Sequence, residues 1–194
     1  MKRIPALILA LCLLLSLAGC SGKTASDGEV EGKVLVVYFS CSGNTGRLAG
    51  HIADILDADL YEIVPEEPYT SADLETNDPD SRSSLERDDE TVRPAISGAV
   101  ENMEDYAIVF LGYPIWWGEA PKILYTFLES YDFSGKTVIP FCTSGSSGIG
   151  SSATHLHQST AGSPHWLDGV RFSSGAARQT VVEWLKELPV KIPE

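Results

Sequence analysis

The run Lys33-Val-Leu-Val-Val-Tyr-Phe39 constrains the fold of this chain more than any other stretch. It is short, rich in β-branched and aromatic residues, and lacks polar alternation, the pattern of a strand buried on both faces. Such a strand needs cover above and below, and the sequence supplies it. Residues 44–56 place Leu48, Ile52, Ile55 and Leu56 at helical spacing. Further strand-like runs fall at 60–64, 107–112, 137–142 and 167–172, with helical patterns over 120–130, 152–159 and 176–188. Strands alternating with helices predict an α/β fold: a doubly wound, five-stranded parallel sheet with helices on both faces.

Residues 65–94 interrupt this rhythm. Glu66-Glu67-Pro68-Tyr69, Asn77-Asp78-Pro79-Asp80 and Arg87-Asp88-Asp89-Glu90 are acidic and turn-rich, so the segment reads as one long irregular loop, with a short helix expected over 95–102. The 194 residues suit one domain plus a targeting segment, and 43% apolar content is enough for a core. A formal charge of −13 disfavours nucleic acid or an anionic lipid surface as a direct partner.

The first nineteen residues stand apart from the fold. Lys2 and Arg3 form a basic head, residues 6–17 are almost continuously apolar, and Leu17-Ala18-Gly19-Cys20 follows. The stretch is shorter than the ~20 residues that span a bilayer and ends in small residues, as a cleaved signal does. Leu-Ala-Gly-Cys resembles the lipobox of bacterial lipoproteins. That resemblance implies cleavage before Cys20, its lipidation, and a secreted protein anchored to the outer face of a bacterial membrane. Residues 1–19 are then signal, 20–32 a lipidated cysteine and flexible tether, and 33–190 the folded domain. Of four cysteines, Cys41 and Cys142 remain in that domain, and no spacing resembles a zinc site. They sit at the ends of the first and fourth strands, too far apart to be bridged if the third lies between them.

Three loops carry the chemistry. Phe39-Ser-Cys-Ser-Gly-Asn-Thr-Gly46 lies between a strand and a helix, where fresh backbone N–H groups and the helix dipole favour an anion. It has neither the spacing and lysine of a Walker loop nor the Gly-x-Gly-x-x-Gly turn. The loop alone leaves two readings open: a phosphate site of neutral donors, or a polar loop with an ordinary cap at Ser42 or Asn44. Gly112-Tyr-Pro-Ile-Trp-Trp-Gly-Glu-Ala-Pro121 sets two tryptophans after the next strand, where they need a core or a flat ligand to cover them. Thr143-Ser-Gly-Ser-Ser-Gly-Ile-Gly150 is a Gly/Ser loop after the strand that follows. His155-Leu-His157 is a poor metal pair, since helical residues two apart diverge.

At these three segments the chain resembles the flavodoxin family, in particular bacterial members with a Tyr-Pro-Ile-Trp-Trp-Gly loop, over roughly residues 33–188. The resemblance implies the strand order 2-1-3-4-5, which brings all three loops to the carboxyl edge of the sheet beside its switch point. It implies FMN as cofactor, with Ser40, Ser42, Gly43, Asn44, Thr45 and Gly46 at the phosphate. Pro114, Ile115, Trp116, Trp117 and Gly118 would pack on the isoalloxazine, and Thr143, Ser144, Gly145, Ser147 and Gly148 would border its other edge. The expected function is electron transfer between a donor and an acceptor that the sequence does not name. The alternatives are an FMN-dependent NAD(P)H- or quinone-type reductase, or a flavin-free binding lipoprotein. No nicotinamide-binding motif is recognisable, which favours the carrier.

Overall fold

The computed structural model describes residues 30–191; the leader, Cys20 and most of the tether lie outside the described residues. Strand β1 (Lys33–Tyr38) is followed by helix α1 (Asn44–Leu56) and β2 (Asp59–Glu62). Later in the chain come β5 (Tyr106–Pro114), α3 (Lys122–Glu129), β6 (Thr137–Thr143), α4 (Ser152–His157), β7 (His165–Trp166), β8 (Val170–Phe172) and α5 (Arg178–Leu185). The main sheet is parallel throughout, in the order β2-β1-β5-β6-β7, with β8 also paired to β6.

Alternation along the strands decides which helix covers which face. Leu35 and Val37 of β1 join Val109 and Leu111 of β5 under Ile123 and Leu124 of α3 and Leu156 of α4. Their neighbours Val36, Ile108 and Phe110 face the other way, onto Leu48 and Ile52 of α1 and Val181 and Leu185 of α5. Period-two side chains on a doubly covered strand produce this division.

Four expectations need correction. The fifth strand is two short ones. Lys136 and Val138 accept backbone hydrogen bonds from His165 and Leu167, so Pro140, two residues on, faces the same neighbour. It has no N–H to offer there, and the ladder breaks between β7 and β8. The acidic segment is not wholly irregular either. It contains β3 (Val64–Pro65) and α2 (Arg82–Asp88), the latter capped by Ser81, whose hydroxyl accepts from Ser84 N. The helix expected over 95–102 is instead β4 (Ile96–Ser97), antiparallel to β3, followed by a 3₁₀ turn at Met103–Asp105. Gly98 at φ 81° and Asn102 at φ 52° are left-handed, which no helix tolerates in its interior. Finally, Val30, placed in the tether, donates to Pro189 O at 2.6 Å and pairs with Val190.

Candidate functional site

The first loop turns through Gly43, at φ 80°, where glycine carries no steric penalty. Gly43 is the N-cap of α1 and no side chain caps the helix, so its leading N–H groups stay available to a ligand. Asn44 Nδ2 donates sideways to Ser42 Oγ at 3.0 Å. Below them, Ser40 Oγ is buried without a hydrogen-bond partner, an arrangement that costs free energy unless something else bonds to it. Thr45 is placed differently: it is 1% exposed, with Oγ1 2.8 Å from Thr143 Oγ1. Gly46 leaves room for the Tyr38 ring, which a Cβ would approach to 2.9 Å. Arg47, the nearest cation in sequence, is spent on the carbonyls of Ala176 (2.9 Å) and Ser174 (2.6 Å). The attraction for an anion therefore comes from the helix terminus and neutral donors. A phosphate group fits this donor set.

The second loop is a tight turn. Ile115 N donates to Thr143 O, and Trp116 and Glu119 exchange both backbone bonds, each at 2.9 Å. Trp117 (φ 49°) and Gly118 (φ 88°) are both left-handed, the signature of a type I′ turn. A tryptophan in that region costs about 1–2 kcal/mol, and the Arg87 guanidinium, 4.7 Å from its ring centre, helps hold it. The two tryptophans divide their work. Trp116 turns inward, edge-on to Phe39 at 5.7 Å and Tyr69 at 5.4 Å, whereas Trp117 is 38% exposed.

Between these loops lies a cleft of about 380 Å³. Cys41 and Ser42 line one side and Pro114 to Trp117 another, while Leu74, Thr76 and Ser83 close it from the acidic segment. That segment is latched in place. Tyr69 donates to Glu86 at 2.6 Å, Arg82 Nε donates to the same carboxylate at 2.7 Å, and the Arg82 guanidinium covers the Tyr69 ring at 4.0 Å. Burial, then the Glu86 carboxylate, push the Tyr69 phenol far above its ordinary range, so it remains a donor.

The third loop meets the others through Thr143. Ser144 Oγ donates to Ser147 O, while Arg171 Nε reaches Ser144 Oγ at 3.0 Å and its Nη2 reaches the carbonyls of Ser144 and Gly145 at 2.8 Å each. Gly145, Ser147 and Gly148 are exposed and do not line the cleft. Sequence reasoning missed Arg171, which sits in β8, and the Leu74–Ser83 wall; neither carries a motif. His155 Nδ1 lies 2.8 Å from Glu119 Oε2 and His157 stacks on Trp166 at 4.2 Å. Among the described residues no group of side chains could hold a metal. Cys41 is exposed and Cys142 buried, both as free thiols.

A doubly covered parallel sheet, an uncapped helix after β1 and an aromatic turn after the adjacent central strand β5 together define the flavodoxin-like class of α/β proteins. Residues 33–188 match the flavodoxin family model, and the chain belongs to that family. Among solved structures it is similar to a candidate flavoprotein from Bacteroides eggerthii DSM 20697, at 45% identity and a TM-score of 0.77, over 83% of this chain and 100% of the other. A candidate flavoprotein from Bacteroides uniformis ATCC 8492 gives 45% identity and 0.76 over 81% and 100%. The fold is shared with a flavoprotein from Lactobacillus acidophilus NCFM solved in complex with FMN, at 23% identity and 0.59 over 80% and 99%. No curated protein matches the chain.

Proposed function

We propose that this protein binds FMN non-covalently and carries electrons as a membrane-tethered, extracytoplasmic flavodoxin. One observation carries the cofactor assignment: the buried, unpartnered Ser40 hydroxyl beneath the uncapped start of α1. Ser40, Ser42 and the amides of residues 43–46 would hold the phosphate. Residues 114–118 of the Tyr-Pro-Ile-Trp-Trp-Gly loop, with Trp117 as its exposed ring, would receive the isoalloxazine. Thr143, Ser144, Gly145, Ser147 and Gly148 would border it, braced by Arg171. When bound, FMN supplies the electron-accepting ring. The protein supplies orientation, exclusion of water and the local field.

Family membership supports FMN, and the Leu-Ala-Gly-Cys20 segment supports the anchor. The test is direct. The purified protein should hold FMN at one per chain and bind riboflavin, which lacks the phosphate, far more weakly. Equal affinity for the two would remove the phosphate assignment. Turnover of NAD(P)H with quinones by the loaded protein would replace the carrier by the reductase reading. Labelling of wild type but not Cys20→Ala by a radioactive fatty acid would establish the anchor.

A further inference from the structure

A second cavity, of about 450 Å³, lies on the far side of the tryptophan turn, between α2, the start of α3, and α4. Trp116, Trp117 and Ser83 line both spaces, so the turn is a partition with a chamber on each side. The volume falls within the ~300–1,000 Å³ of small-molecule sites. Its walls include the rings of Trp116, Trp117 and Tyr125.

The hydrogen-bonding capacity of this chamber is unevenly spent. Each carboxylate in its wall already accepts: Glu86 from Tyr69 and Arg82, Glu90 from Lys122, and Glu119 from His155 if that nitrogen carries the proton. The donors are not used up. Lys122 is 8% exposed, yet its ammonium makes one hydrogen bond, to Glu90 at 2.9 Å, out of the three it can donate. Ser83 is 2% exposed and its hydroxyl is buried without a partner. The Tyr125 hydroxyl is not among the buried unpaired groups, so it meets solvent at the mouth and adds nothing to the buried surplus that Lys122 and Ser83 make. Formal charges of the wall balance, with Glu86, Glu90 and Glu119 against Arg87, Arg93 and Lys122. A buried donor surplus in a neutral, aromatic-walled chamber calls for an acceptor oxygen on a flat ring.

We propose that this chamber is a second small-molecule site, taking a planar aromatic compound with a carbonyl or carboxylate oxygen, its ring against Trp117 and Tyr125 and its oxygen on Lys122. The site does not depend on FMN binding in the neighbouring cleft. Occupancy presses on the turn that forms the wall of that cleft, so the two chambers communicate through Trp117.

The test uses three bicyclic probes on the purified protein: 2-naphthoate, 2-acetonaphthone and naphthalene, followed by calorimetry and by the tryptophan emission. At least one oxygen-bearing probe should bind saturably at one per chain, tenfold or more tighter than naphthalene. Preference for naphthoate assigns a carboxylate ligand and preference for acetonaphthone a neutral carbonyl; either supports the site. Lys122→Met should weaken the preferred probe tenfold or more while leaving FMN affinity and melting temperature unchanged, since its partner Glu90 is exposed. Naphthalene binding as tightly as the oxygenated probes, indifference to Lys122→Met, or no saturable binding of any probe would each overturn the proposal.

Discussion

Thr45 Oγ1 and Thr143 Oγ1 lie 2.8 Å apart in the interior, joining residues 98 positions apart in the chain. This bond ties the start of α1 to the end of β6, and so the first loop to the third. Thr45→Val should leave the Thr143 hydroxyl buried and unpaired, at a cost of about 1–3 kcal/mol. Thr143→Val should cost about the same, and the double variant less than the sum. Urea unfolding of the four proteins measures the cycle.

Ser40→Ala should act in the opposite sense. It removes a buried hydroxyl that has no partner, so stability should hold or rise slightly. FMN affinity should fall by about 1.5–3 kcal/mol, the range for a hydrogen bond to a charged group, while riboflavin affinity stays unchanged. Fluorescence titration with both ligands reads the difference.

Gly118→Ala meets open space, because an added Cβ has nothing within 4 Å. Its cost is therefore backbone strain at φ 88°, about 1–2 kcal/mol. The reduction potential of the FMN-loaded protein should move as well, if the Trp117–Gly118 peptide faces the ring. An unaltered potential beside a lowered urea midpoint would make the turn a passive connector.

Arg171→Met should loosen the third loop, since three hydrogen bonds to Ser144 and Gly145 depend on one guanidinium. Hydrogen exchange at residues 144–150 should speed up. FMN and riboflavin affinities should fall by the same factor if, as proposed, the loop borders the ring and not the phosphate.

Alkaline pH should destabilise the domain partly through Cys142. Burial pushes its thiol from an ordinary 9.0 up to about 12. Above pH 9 the unfolded thiol ionises and the native one does not, so the unfolded state binds fewer protons and stability falls as pH rises toward 12. Cys142→Ala should flatten the decline in urea midpoint between pH 8 and 10.5. An equal slope in both proteins would assign the loss to other groups.

Local pattern alone determined most of the frame. β1, α1, β5 and β6 were legible because each is a covered element whose apolar residues repeat with the period of its own geometry. The three loops were legible because Gly, Ser and paired tryptophans mark turns and rings wherever they occur. α2 was not, for a physical reason: it turns Ser83, Ser84 and Glu86 inward and leaves Leu85 55% exposed, so no apolar stripe announces it. What holds α2 is the Tyr69–Glu86–Arg82 latch, a contact between side chains that adjacency in sequence does not encode. The division of labour between Trp116 and Trp117, the Thr45–Thr143 bond, the grip of Arg171 and the second chamber share that origin. Each depends on groups from different elements meeting across the sheet edge, and only tertiary packing decides which groups meet.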